Sequence, residues 1–268
     1  MVRKLFKHEF LSYARIMLPI YAVLIGVSGL NRLIQLFEQD NLVYNIVFIF
    51  SIIAYVVTIV LALVLTAITA ITRYYKNLFT GEGYLSFTLP ITPTQHLWVK
   101  SLTAVAVEVT TVIAIFLSVF IITAGDVLTE VFKAIGYLCG RAFESVGAHF
   151  WFYIAEFIFL LLITSFTSIM MFYFCITAGQ LAKKNRVLAS VGVYFGLYIL
   201  SQVFSTIITI LLTVFGEPLG EFFLEYFMNH NKEVWHWIFG IISLANVIMS
   251  AVYFFVNRLI IKNKLNLE

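Results

Sequence analysis

The chain has 268 residues, of which 62% are hydrophobic and only 12% are charged, and its formal net charge is +3. A soluble domain carries about twice that charged fraction, so the composition excludes a soluble globular protein and predicts an integral membrane protein. The small net charge gives no basis for nucleic-acid binding. The long apolar runs do not alternate with polar residues, so they predict an all-α, polytopic fold.

The first 15 residues predict an amphipathic helix at the membrane interface. Apolar residues from Val2 to Tyr13 recur at three-to-four spacing, and Arg3, Lys4 and Lys7 lie on the other side. Basic residues of such a helix face anionic lipid headgroups. Two spans are predicted next, at about residues 16–37 and 44–72, and we expect the longer second span to tilt or to project into the cytoplasm.

A polar stretch, residues 73–96, interrupts the apolar runs. Its first part, residues 73–79, predicts a short helix lying on the membrane surface, and residues 80–83 predict a turn. At its end, the residues Thr-Pro-Thr-Gln at positions 92–95 have the spacing of a capping box with proline at the first helical position. We therefore expect the third membrane helix to begin there.

Four more spans complete a predicted set of six within a single transmembrane domain, residues 1–268. They are predicted at about residues 97–124, 149–179, 188–215 and 238–256. Two connecting segments are predicted to stay at the outer interface. Residues 126–148 predict an amphipathic helix that is too charged to span, and residues 216–237 form an acidic and aromatic connection before the last span.

The distribution of basic residues predicts the orientation. All but four of the 17 Lys and Arg residues lie at the termini, between residues 73 and 100 or in the turn near residues 183–186; the exceptions are Arg32, Lys133, Arg141 and Lys232. Cytoplasmic loops of membrane proteins carry the excess of Lys and Arg. Both termini and residues 73–96 are therefore predicted to be cytoplasmic.

The polar stretch carries a motif that resembles the loop between the second and third helices of ABC-2 type transporter permeases. That family's pattern runs Glu, Gly, a hydrophobic residue, Pro with a small polar residue, and a basic residue at the next helix. The matching residues here are Glu82-Gly83-Tyr84-Leu85, Leu89-Pro90-Ile91-Thr92 and Lys100. Together with the basic aromatic run Arg73–Leu78, the stretch is similar to a permease branch common in Gram-positive bacteria, some of whose members export amphipathic peptides such as phenol-soluble modulins.

The resemblance implies that this loop couples the chain to a separate ABC ATPase. The implied coupling residues are Arg73, Tyr74, Lys76, Asn77, Glu82, Gly83, Tyr84 and Pro90. The chain contains no G-x-x-x-x-G-K-[ST] motif, so we expect no cofactor and no enzyme activity in it, with ATP and Mg²⁺ bound by two copies of the ATPase. The resemblance further implies a homodimer in the bacterial plasma membrane that exports peptides.

Two carboxylates inside predicted spans support an alternative. Glu108 and Glu156 would be costly if ionised in lipid, so each is either a structural hydrogen-bonding group or part of a pathway. The second reading describes an ion-coupled secondary carrier or channel that needs no ATPase. A more distant alternative is an intramembrane protease, because Ser28 lies in a Gly-x-Ser-Gly sequence. The histidines show no metal-ligand spacing, so no metal site is predicted.

Overall fold

The computed structural model describes residues 2–37, 41–80, 92–214, 216 and 231–263. These residues form seven α-helices, and the described part of the chain has no β-strand. The helices are α1 Val2–Leu36, α2 Leu42–Phe79, α3 Pro93–Thr123, α4 Asp126–Val146, α5 His149–Gly179, α6 Arg186–Val214 and α7 Asn231–Asn263.

Six of these helices, all except α4, are long and apolar enough to cross a membrane. An all-α fold with six candidate spans is therefore confirmed. In the remaining helix, α4, Lys133 and Glu130 are exposed and paired at 3.1 Å. Its position at the outer interface and the cytoplasmic location of both termini stay predictions.

Two predicted helix boundaries are wrong. The segment 2–15 is not a separate helix, because α1 runs without a break to Leu36, and the predicted surface helix 73–79 is the last part of α2. Neither of these two predicted boundaries carries a residue that stops a helix. No Gly or Pro lies between Phe10 and Ile16, and none lies in α2. Pro19 is inside α1.

The predicted start of α3 is confirmed in detail. The Thr92 hydroxyl accepts from the Gln95 amide at 3.3 Å, and the Gln95 side-chain oxygen accepts from the Thr92 amide at 3.1 Å. This capping box satisfies two amide groups that the first turn of a helix leaves without partners. At the other end of α3, Gly125 has a φ of +109°, and the turn there leads directly into α4.

The chain divides into two compact units. The first unit contains α1 and α3, the part of α2 up to Lys76, and the part of α4 up to Arg141. Within it, α1 packs closely along α3 in the same direction, while α2 runs antiparallel to both. The second unit includes the last residues of α4 and helices α5, α6 and α7. Here α5 packs most closely on α7, again in the same direction, and α6 packs antiparallel on α5.

Candidate functional site

A buried group of three charges joins the three spans of the first unit. The Lys100 ammonium group of α3 donates to Glu9 Oε1 at 2.7 Å, and the Arg73 guanidinium group of α2 donates to Glu9 Oε2 at 3.3 Å. We call Glu9, Arg73 and Lys100 the ion triad. The Glu9 and Lys100 side chains are only 8% and 5% exposed, so the contacts are shielded from solvent. In the predicted topology the ion triad lies at the cytoplasmic end of these helices.

One aromatic ring, that of Tyr13, covers Arg73 of the ion triad. The Arg73 guanidinium carbon lies 4.6 Å from the centre of the Tyr13 ring, a distance at which the negative face of the ring attracts a cation. Tyr13 and Tyr74 are almost completely buried. Arg73 is the first residue of the polar stretch, and Lys100 lies four residues after its last, so the ion triad holds both ends of that stretch to the start of α1.

The predicted coupling residues fall into two groups. Arg73, Tyr74, Lys76 and Asn77 all lie in the last two turns of α2, where Tyr74 is buried and Lys76 is exposed. The other four, Glu82, Gly83, Tyr84 and Pro90, lie outside the described residues, so their role stays a prediction.

Sequence reasoning missed Glu9. It is the one acidic residue among the basic residues of the first 15 positions, and it starts the buried stripe of α1 that continues through Tyr13 and Met17. An acid on the apolar face of a basic helix must meet a cation, because a buried charge without a partner is costly. That signal predicts a cationic partner for Glu9, but nothing local identifies Arg73 and Lys100 as the partners.

The second unit holds a chain of ionisable groups at the beginning of α5 and α7. His149 Nδ1 lies 2.9 Å from His236 Nε2, and His236 Nδ1 lies 2.8 and 2.9 Å from the two carboxylate oxygens of Glu156. We call these three residues the histidine chain. The Tyr153 hydroxyl donates to the main-chain carbonyl of Lys232 beside it. Glu156 was predicted as a pathway candidate, whereas its partner His236 and the adjoining His149 were not predicted.

The histidine chain does not have the geometry of a metal site. His236 uses its two ring nitrogens for partners on opposite edges of the imidazole, so the donor atoms do not converge on one point. Across the residues that the structure describes, no group of three or more His, Cys, Asp or Glu side chains is arranged to hold a metal ion.

An apolar groove of about 420 Å³ lies next to the histidine chain in the second unit. Tyr153, whose ring centre is 4.6 Å from that of His236, forms part of its wall. The other aromatic residues of the wall are Phe150, Phe157, Trp235 and Phe239. The groove has the chemical character of a site for an acyl chain or an aromatic group.

Helix α6 carries a polar face along most of its length. At 100° per residue, its polar residues from Tyr198 to Thr213 fall within one arc of about 140°, interrupted by Leu212. They are Tyr198, Ser201, Gln202, Ser205, Thr206, Thr209 and Thr213, and all are exposed. We call this surface the α6 polar face. It was not predicted from the sequence, although its spacing is visible there.

Two other predicted residues have different surroundings. Glu108 is half-buried on α3. Ser28 is fully buried, and its hydroxyl donates to the main-chain carbonyl of Ile25 at 2.7 Å. This is the behaviour of a small residue at a helix contact, and it offers no support for a catalytic serine.

Comparison of the chain with protein-family models, with curated proteins and with solved structures finds no significant match. The resemblance to ABC-2 type permeases therefore rests on the motif in the polar stretch and on the predicted layout.

Proposed function

We propose that this chain is the membrane subunit of an ATP-driven exporter of hydrophobic or amphipathic cargo, with amphipathic peptides as the favoured class. In this proposal it works in a bacterial plasma membrane as a homodimer, together with two copies of a separate ABC ATPase. The observation that carries the proposal is the α6 polar face.

A polar surface on a membrane span needs partners that lipid does not supply. Four hydroxyls of the face donate to main-chain carbonyls of α6 itself, at 2.7 to 2.9 Å, so they tolerate lipid. Gln202 differs, because an amide has two N–H donors and an oxygen, and its one described bond is to Tyr198 of the same helix at 3.2 Å. A face of this kind, about 22 Å long, suits a pathway in which the polar side of an amphipathic peptide meets Gln202 and the hydroxyls.

The ion triad supports the coupling part of the proposal. A partner that pushes on residues 81–91 moves the ends of α2 and α3, and Glu9 connects both of these ends to α1. Buried charged contacts with defined geometry transmit such a movement because the partners cannot separate without a large cost. ATP binding by the partner would then rock the three spans of the first unit as a group.

The test uses the full chain reconstituted in liposomes with the ABC ATPase encoded beside it, and a fluorescent amphipathic peptide as cargo. Changing Gln202→Leu together with Thr209→Val should lower ATP-dependent peptide transport about ten-fold, as expected for a loss of about 1.4 kcal/mol. Co-purification with the ATPase should be unchanged. Glu82→Arg should act at the coupling step instead, either weakening co-purification or leaving ATP hydrolysis uncoupled from transport.

Thr58→Val in α2 is the matched control, because its hydroxyl also donates only to its own helix, at 2.8 Å to Ala54. This variant should transport normally. Full transport by the Gln202→Leu and Thr209→Val variant would remove α6 from the pathway, and unchanged assembly and transport in Glu82→Arg would refute the coupling site.

The histidine chain favours a second candidate, an ion-coupled carrier that uses Glu156. A carboxylate joined to imidazoles by hydrogen bonds inside a candidate span is a typical proton-carrying arrangement. The two candidates separate in liposomes that contain the purified chain alone. Proton-driven uptake of the peptide without any ATPase would support the carrier, whereas strict dependence on the ATPase and ATP would support the exporter.

A further inference from the structure

Each ring nitrogen of His236 is held by a different ionisable side chain. Glu156 binds the Nδ1 edge through both carboxylate oxygens, and His149 binds the Nε2 edge at 2.9 Å. A contact that only pins α5 to α7 needs one such bond. Two imidazoles in series that end on a carboxylate form instead a continuous path for protons, since every link has hydrogen-bond length.

We propose that His149, His236 and Glu156 form a proton relay, in which His149 takes up a proton at the end of α5 and Glu156 receives one inside the span. The relay requires neither ATP nor cargo, so it goes beyond the exporter function. A negative result for either proposal leaves the other unaffected. It makes the charge on Glu156 follow the pH at the end of α5, which is the outer side in the predicted topology.

The transfer balances in protons and charge. Neutral His236 begins with its proton on Nδ1, donated to the ionised Glu156, and its Nε2 accepts from His149. Protonated His149 passes its Nδ1 proton to His236 Nε2, while His236 Nδ1 passes its own proton to Glu156. His149 and His236 are then both neutral, His236 carries its proton on the other nitrogen, and Glu156 is a neutral carboxylic acid.

Aromatic rings lie beside the relay, and Glu156 lies at some depth along α5. Glu156 lies seven residues after the first residue of α5, which places it about 10 Å along the helix axis. Rings of Phe152 and Tyr153 lie 6.5 and 4.6 Å from the His236 ring. The side chains of His236 and Glu156 are 26% and 35% exposed, and the two rings cover part of the imidazole.

Other ionisable groups near the relay do not interrupt it. On α5, the Tyr153 hydroxyl is committed to the Lys232 carbonyl. On α7, the side chains of Lys232 and Glu233 are exposed, and on the last turns of α4 Glu144 is exposed. Helix α6, which also packs on α5, has no charged residue after Arg186. The described charged groups around the histidine chain are therefore outside the path.

The experiment follows protonation of Glu156 in the full chain, reconstituted in liposomes without any ATPase. A rapid change from about pH 8 to about pH 5 crosses the range in which imidazoles take up protons. Time-resolved infrared spectroscopy should then show a rising carboxylic acid C=O band that is absent from the Glu156→Gln variant. In His236→Phe the band should rise on the order of 100-fold more slowly, the low end of what positioned proton-transfer groups contribute.

His149→Asn supplies a second test that leaves the His236 to Glu156 contact in place, so it does not depend on whether His236→Phe folds. The His149→Asn substitution should also slow the rise of the carboxylic acid band. His8→Asn, at an exposed histidine of α1, is the matched control and should match the wild-type rate. Equal rates in wild type and His149→Asn, or no carboxylic acid band in the wild type, would overturn the relay.

Discussion

The two units share a three-span arrangement but are held together differently. In each, the first and third spans run in the same direction and pack closely. In the first unit, side-chain hydrogen bonds between helices occur at four levels along the spans. They are Asn31 with Ser51, Tyr55 with Ser118, Tyr21 and Thr66 with Thr111, and finally the ion triad. The second unit joins α5 to α7 through the histidine chain at one end and, further along, through two bonds to main-chain carbonyls, from Thr167 to Asn246 and from Asn257 to Met170.

This difference indicates which unit is rigid. Lipid tails are as apolar as leucine, so helices in a membrane associate through close packing and hydrogen bonds rather than through the hydrophobic effect. The first unit has such bonds at every level. In the second unit, α6 has no buried residue among those that the structure describes. We infer that the first unit moves as one body and that α6 is the span most free to change its contacts.

The largest expected effect is at the ion triad. Glu9→Gln removes the negative charge that joins the buried Lys100 to the partly buried Arg73, and removing one member of a buried ion pair costs about 3 to 5 kcal/mol. Reversible unfolding in mixed micelles measures this change. Glu130→Gln is the matched control, since Glu130 pairs with Lys133 on the exposed surface of α4, and such pairs contribute about 1 kcal/mol or less. Equal stability of the two variants would show that the ion triad does not hold the first unit together.

The features that could be predicted from the sequence are those that depend on neighbouring residues. The six spans follow from long apolar runs, and the start of α3 follows from the spacing of Thr92 and Gln95. The extents of α1 and α2 were misjudged because a change from apolar to charged residues was taken as a helix boundary. A helix continues through such a change unless Gly, Pro or a cap ends it.

The candidate sites depend on residues far apart in the chain, so they could be predicted only in part. Glu156 was a candidate because it is a carboxylate in a predicted span. Its partner His236 is 80 residues away in the chain, and only the packing of α5 on α7 brings them together. In the same way, Glu9 and Lys100 are 91 residues apart. A lone charge on an apolar face signals that a partner exists, whereas the identity of that partner requires the tertiary structure.

A smaller effect is expected at Gly179, where α5 lies close to α6 in the second unit. A Cβ at Gly179 would lie 2.6 Å from both the main-chain nitrogen and the Cα of Ser190, so Gly179→Ala forces the backbones apart. Overpacking of this kind costs about 1 to 3 kcal/mol, measured by the same unfolding assay. Gly196→Ala in α6 is the control, because nothing lies within 4 Å of its Cβ position, and it should be neutral or stabilising. If Gly179→Ala is also neutral, α6 is held more loosely than this contact indicates.

The smallest effect tests one level of hydrogen bonds in the first unit. Tyr55→Phe removes only the hydroxyl that lies 2.8 Å from the Ser118 hydroxyl, and such bonds between membrane helices contribute about 0.6 kcal/mol on average. Tyr198→Phe in α6 is the matched control, since that hydroxyl contacts only Gln202 of its own helix among the described contacts, and its stability should not change. A loss of stability in Tyr55→Phe but not in Tyr198→Phe would mean that a single hydrogen bond between helices stabilises the first unit. Equal values for both variants would leave close packing and the ion triad as the source of its rigidity.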